Sequence, residues 1–174
     1  MINLNILVVD DQPEPIESLD AGFELHLMHP RFAKVFTYDL TMATNEVEAK
    51  NCIDQRSVHV AIIDQSLTDG KKGLDTLGLE VLKHLRLKHE YAEGIILTAN
   101  PRAEARKQAL RDGAFDYVSK SDDSKFNDLA KYGWQEVMVR VSFHAMKIVA
   151  ARMSYLDSAN FSSDDVNCFL NCRF

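Results

Sequence analysis

Short apolar runs of four or five residues, rich in valine and isoleucine, alternate along this chain with longer amphipathic stretches. Uninterrupted runs of this kind suit strands buried on both faces of a parallel sheet. The amphipathic stretches between them fit crossover helices. The pattern predicts strands near 4–9, 33–38, 58–63, 94–98 and 115–118, and helices near 14–27, 44–55, 77–88, 102–112 and 134–157. The second strand, Ala33-Lys34-Val35-Phe36-Thr37-Tyr38, alternates in polarity and is expected at a sheet edge. The fold class expected is α/β, a doubly wound sheet of five parallel strands with an extended C-terminal helix.

Local signals punctuate these elements. Pro13 and Pro15 suit the first turn of the first helix, where a missing N–H costs little. Asn45 with Glu48 has the spacing of a capping box. Pro101 marks the start of the fourth helix, and Gly113 after Asp112 can take a left-handed cap at its end. Two connections are long for such units: 26–32, and 66–76 with its Asp69-Gly70-Lys71-Lys72-Gly73 segment. A functional loop and a tolerated insertion both fit them. Beyond Lys120 the character changes. Ser121-Asp122-Asp123-Ser124 is a capping-competent turn, Gly133 interrupts, and a long helix follows. Trp134, Val141, Ile148 and Tyr155 recur along it every seven residues. Its length, ~35 Å at 1.5 Å per residue, exceeds what one small sheet needs. Its end would pair with a second copy or lead to another domain, the alternative being a long core helix. Residues 160–174 carry a helix start at Ser162-Ser163-Asp164-Asp165, followed by Val166, Phe169 and Leu170. The expected division is a first domain over 1–132, with the long helix and a helical tail over 133–174.

Composition narrows the class. The chain has 174 residues, 46% hydrophobic and 26% charged, enough to bury a core without staples. A net charge of −6 argues against sequence-independent nucleic-acid binding by this chain. Three cysteines without framework spacing suggest a reducing compartment, and Cys168 with Cys172 reads as ordinary tail chemistry. Met1 runs straight into a strand, without a basic leader, and no apolar run reaches the length that spans a bilayer. A cytoplasmic location is expected, with no membrane contact. The six histidines form no convincing ligand set, and Arg102, Arg106 and Lys107 read as a solvated helix face.

The chemistry lies at the strand ends. Ile6-Leu7-Val8-Val9 runs into Asp10-Asp11, Val60-Ala61-Ile62-Ile63 into Asp64, Ile95-Ile96-Leu97 into Thr98-Ala99, and Tyr117-Val118-Ser119 into Lys120. The C-terminal edge of an open parallel sheet is where such folds place their sites. Three carboxylates together repel unless a cation neutralises them. Oxygen-only donors suit Mg²⁺ or Mn²⁺ better than zinc. Mg²⁺, the Lys120 ammonium and the Thr98 hydroxyl are what neutralises a phosphoryl group in transfer. No serine or cysteine with a partnered base stands at these ends, so Asp64 is the candidate nucleophile, giving an aspartyl phosphate.

With these residues in this order, the chain resembles the receiver domain of two-component response regulators. The resemblance covers residues 4 to about 120 well and the long helix loosely. It implies a flavodoxin-like receiver fold with strand order 2-1-3-4-5. It also implies a metal shell of Asp10, Asp11, Asp64 and the Ser66 carbonyl, Asp64 as phosphoacceptor, and Thr98 and Lys120 as phosphoryl ligands. Thr98 and Tyr117 would form the switch, the ring turning inward as the threonine shifts. A histidine kinase or phosphotransfer protein would donate the group, and a homodimer through the long helix is a candidate output. Such a domain catalyses only its own phosphorylation and dephosphorylation. The sequence departs from the family where Ser121 replaces the usual proline after the lysine, so no cis bond is expected there. Leu67-Thr68 also replaces the usual Met-Pro, while Ser66 and Asn100 stand where access of hydrolytic water is tuned. Two rival readings are a phosphate-independent docking module and a Mg²⁺-dependent phosphohydrolase with an aspartyl intermediate. The second wants Asp-x-Asp after the first strand, which Asp10-Asp11-Gln12 does not supply.

Overall fold

The computed structural model describes residues 2–27, 36–67, 76–120 and 133–156. Strands and helices alternate along them: β1 (Ile2–Val9), α1 (Pro13–Leu27), β2 (Phe36–Ala43), α2 (Glu46–Gln55), β3 (Val60–Asp64), α3 (Leu77–Lys88), β4 (Glu93–Thr98), α4 (Ala103–Arg111), β5 (Asp116–Ser119) and α5 (Gly133–Leu156). The strands form one parallel sheet in the order β2-β1-β3-β4-β5. The register sets Val9 against Ile63, Asp64 against Leu97, and Thr98 against Ser119.

Every residue of β3 and β4 is buried, which is why those strands read as continuous apolar runs. Successive side chains serve opposite layers. Ile6, Val8, Ile62, Ile95 and Leu97 pack with residues of α1 and α5, while Leu7, Val9, Ala61, Ile63 and Ile96 pack with α2, α3 and α4. At the edge, β2 exposes Thr37, Asp39 and Met42. It runs over 36–43 where the sequence pattern placed 33–38. The reason is pairing: all eight β2 residues match all eight of β1, a ladder that extends through polar Asp39 and Thr41 without needing an apolar run. Residues 33–35 lie outside the described residues, as do most of the two long connections, the turn after Lys120 and the tail beyond 156.

The helix ends follow local chemistry. The Asn45 side chain accepts the Glu48 N–H at 2.9 Å. The Glu48 carboxylate reaches one residue further back than a capping box requires, accepting the Thr44 N–H at 2.8 Å and its hydroxyl at 2.9 Å. Gly113 has φ +94° beyond α4. There the Ala114 N–H reaches the Ala109 carbonyl at 2.9 Å and the Gly113 N–H that of Leu110 at 3.2 Å, closing a Schellman motif. Along α5, Val141 and Ile148 are buried in the chain itself, so core packing accounts for their spacing. The side chains of Trp134 and Tyr155 lie outside the description. The approach of α1 to α5 is close: a Cβ at Gly22 would sit 3.3 Å from Val139 Cα. Among the described residues, no helix is long and apolar enough to cross a membrane.

A histidine joins β1 to the start of β3. The Asn5 N–H donates to His59 Nδ1 at 2.9 Å, and the His59 N–H returns to the Asn5 carbonyl at 2.9 Å. Burial, then the neighbouring His89, holds the His59 imidazole below its ordinary value. The unfolded chain therefore takes up this proton first as pH falls, and the contribution of the ring to stability, complete above the unfolded value, is lost as pH drops through the folded one. Urea unfolding at roughly pH 7.5 and 5.5 checks this, because the unfolded imidazole titrates between them. His59→Asn keeps an acceptor and removes the titration, so it should lose less stability between the two conditions than wild type; equal losses contradict the assignment.

Candidate functional site

Because all five strands are parallel, their C-terminal ends share one edge. Asp10 follows β1, Asp64 closes β3, Thr98 closes β4 and Lys120 follows β5. Main-chain bonds fix the edge: Asp10 N–H to the Ala43 carbonyl at 3.1 Å, Gln65 N–H to Leu97 at 2.8 Å, and Lys120 N–H to Thr98 at 2.7 Å.

Of the residues that the sequence singled out, the structure brings Asp10, Asp64 and Lys120 into contact. The Lys120 ammonium donates to Asp10 Oδ2 and, at 3.0 Å, to Asp64 Oδ2. These side chains are only 9%, 2% and 10% exposed, respectively. Each carboxylate is aimed from its other oxygen: Asp10 Oδ1 accepts the Gln12 N–H at 3.0 Å, and Asp64 Oδ1 accepts the Ser66 N–H at 3.2 Å. Burial drives the Asp10 carboxyl above its ordinary value despite Lys120, and the Asp64 charge adds to the rise. One ammonium thus serves both carboxylates.

Asp11 is half-buried beside them. One oxygen from each of Asp10, Asp11 and Asp64 falls within 4.8 Å of the others, the one such cluster among the described residues. Three clustered carboxylate oxygens fit a hard divalent cation, Mg²⁺ or Mn²⁺. Ser66 lies alongside through its bond to Asp64.

Thr98 is buried, and its hydroxyl accepts the Asn100 N–H at 3.1 Å. Tyr117 is buried too; its hydroxyl donates to Gln65 Oε1 at 2.7 Å and accepts the Arg102 N–H at 3.5 Å. Burial holds its phenol above the ordinary value. Elsewhere, Arg102, Arg106 and Lys107 are exposed, and Lys71 and Lys72 lie outside the described residues.

Two site residues escaped the sequence reading. Gln65 is a buried amide directly after Asp64. Gly78 opens α3, and a Cβ there would lie 2.1 Å from the Asp64 carbonyl oxygen. Only glycine lets this helix press on the backbone of the site. The signal available was a glycine in the first turn of a helix, where no cap or turn requires one.

Comparison with known proteins agrees with this geometry. Residues 6–131 match the response regulator receiver domain, and the chain belongs to that family. It is 27% identical over 117 residues to the response regulator protein PilR of Pseudomonas aeruginosa, a match spanning 67% of this chain and 23% of PilR. The chain thus covers well under two thirds of this curated relative. Among solved structures it is similar to a CheY-like receiver domain protein from Methanospirillum hungatei, with TM-score 0.57, 20% identity and coverage of 84% of this chain and 98% of that one. It is also similar to a Burkholderia pseudomallei response regulator with a phosphorylated aspartic acid, calcium ion and citrate, with TM-score 0.54, 19% identity and coverage of 96% and 92%. These likenesses establish the receiver fold, and receiver domains are signalling domains of two-component systems.

Removing the ammonium leaves two buried carboxylates facing each other. Lys120→Met should lower stability by about 3 kcal/mol at neutral pH, the scale of a buried pair broken at one partner. Added Mg²⁺ should restore more stability to this variant than it adds to wild type. Urea midpoints with and without Mg²⁺ check this; an unchanged midpoint, or one Mg²⁺ does not move, contradicts it.

Proposed function

We propose that this chain is the phosphoacceptor of a two-component relay and takes a phosphoryl group on Asp64 from a histidine kinase or phosphotransfer protein. The observation that carries the reading is the Lys120 bridge, which holds Asp64 at the end of the central strand beside Asp10. The phosphorylated aspartic acid of the Burkholderia protein, on the same fold, supports it.

In this reading a carboxylate oxygen of Asp64 attacks phosphorus. The new O–P bond forms as the P–N bond of the donor phosphohistidine breaks, and the imidazole leaves with the electron pair. Asp10, Asp11, Asp64 and the Ser66 carbonyl would hold Mg²⁺, with Mn²⁺ an alternative. The ion supplies positive charge to the phosphoryl oxygens. Lys120 already donates to Asp64 and would donate to a phosphoryl oxygen once the group is bound there. The Thr98 hydroxyl, at the end of the strand between β3 and β5, would donate to another.

Thr98 and Tyr117 then form the switch. A hydroxyl drawn to the new charge shifts a pre-existing equilibrium around β5, because only one of two states offers that bond. The surface of β5 and the long α5 would carry the change to a dimer partner or effector in the cytoplasm.

Labelling by acetyl phosphate in the presence of Mg²⁺ tests the assignment. Wild type should take up close to one phosphoryl group per chain. Asp64→Ala should take up none, and persistent labelling of the variant overturns the reading.

A further inference from the structure

We infer that the ends of α3 and α4 form a docking surface for the segment 157–174 of this same chain. Leu87 is 83% exposed, Tyr91 65%, Leu110 44% and Phe115 41%. They belong to the last turn of α3, the turn before β4, the last turn of α4 and the residue before β5. The structure sets these places side by side. Lys83 Nζ lies 3.7 Å from Asp112 Oδ2, and Leu87 is one turn further along the same face of α3. The Arg86 guanidinium donates to the Ala92 carbonyl at 2.7 Å, and a Cβ at Gly113 would lie 3.3 Å from Arg86 Nε. Large apolar side chains left in water at one place mark an interaction surface, where single ones need no explanation.

The occupant follows from the course of α5. Phe115 lies against His144 of α5, ring centroids 4.9 Å apart, so the patch continues round the start of β5 to that helix. α5 therefore runs from the C-terminal edge of the sheet to the opposite edge, where the ends of α3 and α4 also lie. It continues from His144 to Leu156, about 18 Å at 1.5 Å per residue. Residues 157–165 then span up to about 30 Å when extended, while neighbouring strands lie only about 4.8 Å apart. The segment lies outside the described residues. Its sequence has the helix start Ser162-Ser163-Asp164-Asp165, then Val166, Phe169 and Leu170 at the spacing of one apolar stripe. A helix that short is marginal in water and needs a surface to bury its stripe. The charges agree. Lys88, Glu90 and Arg111 are exposed around the patch, a net positive rim, and the segment carries Asp157, Asp164 and Asp165 against Arg173.

Cys168 falls opposite the stripe at helical spacing, so a label there leaves the docking face untouched. The test uses the full chain with Cys52→Ala and Cys172→Ser, a nitroxide on Cys168 and isotope-labelled amides read by NMR. The Leu87, Tyr91 and Leu110 amides should lose most of their intensity, and reducing the nitroxide should restore it. Leu87→Asp combined with Leu110→Asp should cut the broadening at Tyr91 several-fold, while unshifted β3 amides report an intact fold. A mixture of isotope-labelled chain without nitroxide and unlabelled chain with it separates the possible occupants. Little broadening is expected there, because segment and surface belong to one chain. Equal broadening in the mixture makes a second copy the occupant and overturns the inference. An unbroadened patch in the spin-labelled chain overturns it too, as does broadening that the double substitution leaves intact. The arm without the aspartates stands if the double variant fails to fold.

Discussion

Lys120 reaches from the end of β5, past the end of β4, to carboxylates on β3 and β1. Two buried acids facing one edge would otherwise repel each other, and the sheet register leaves neither free to turn away. The Gln12 and Ser66 N–H groups aim the carboxylates, and Lys120 neutralises them in part. The shortfall matters. Burial still drives the Asp10 carboxyl upward, so the edge retains an appetite for positive charge. A receiver that binds a cation and then a phosphoryl group needs that condition: enough charge compensation to fold, too little to be satisfied.

The rest of the structure serves this placement. β3 and β4 are buried throughout, which fixes Asp64 and Thr98 on rigid strands rather than on loops. α3 presses on the Asp64 backbone through Gly78, and the close crossing of α1 and α5 at Gly22 supports the opposite layer. Gln65 lies where these constraints meet. It is tied to β4 by its N–H, to α3 by its carbonyl and to β5 by its side chain.

Much of this was legible in the residues. Continuous valine and isoleucine runs marked β1, β3 and β4 because burial on both faces permits nothing else there. The acids and the threonine were legible because each closes such a run, and the lysine because it follows the shorter Tyr117-Val118-Ser119 stretch. β2 was placed too early because an edge strand shares its burial with solvent, and its extent depends on pairing with β1. The seven-residue spacing of Val141 and Ile148 was legible as one face of a long helix, and both side chains are buried, because a helix packed on a sheet repeats its buried face in nearly that way. Gln65 and Gly78 were illegible for a different reason. A glutamine after a strand and a glycine at a helix start carry no pattern, and their meaning depends on what the fold brings against them.

We propose that the edge organised by Lys120 makes Asp64 an acyl phosphate acceptor. Borohydride reduction of the phosphorylated chain, followed by peptide mass spectrometry, tests it at the atom concerned, since hydride converts an aspartyl phosphate to homoserine. Homoserine is expected at position 64, formed only after treatment with phosphodonor and Mg²⁺. Homoserine at Asp10 or Asp11, or at no position in a chain that has taken up phosphate, would contradict it.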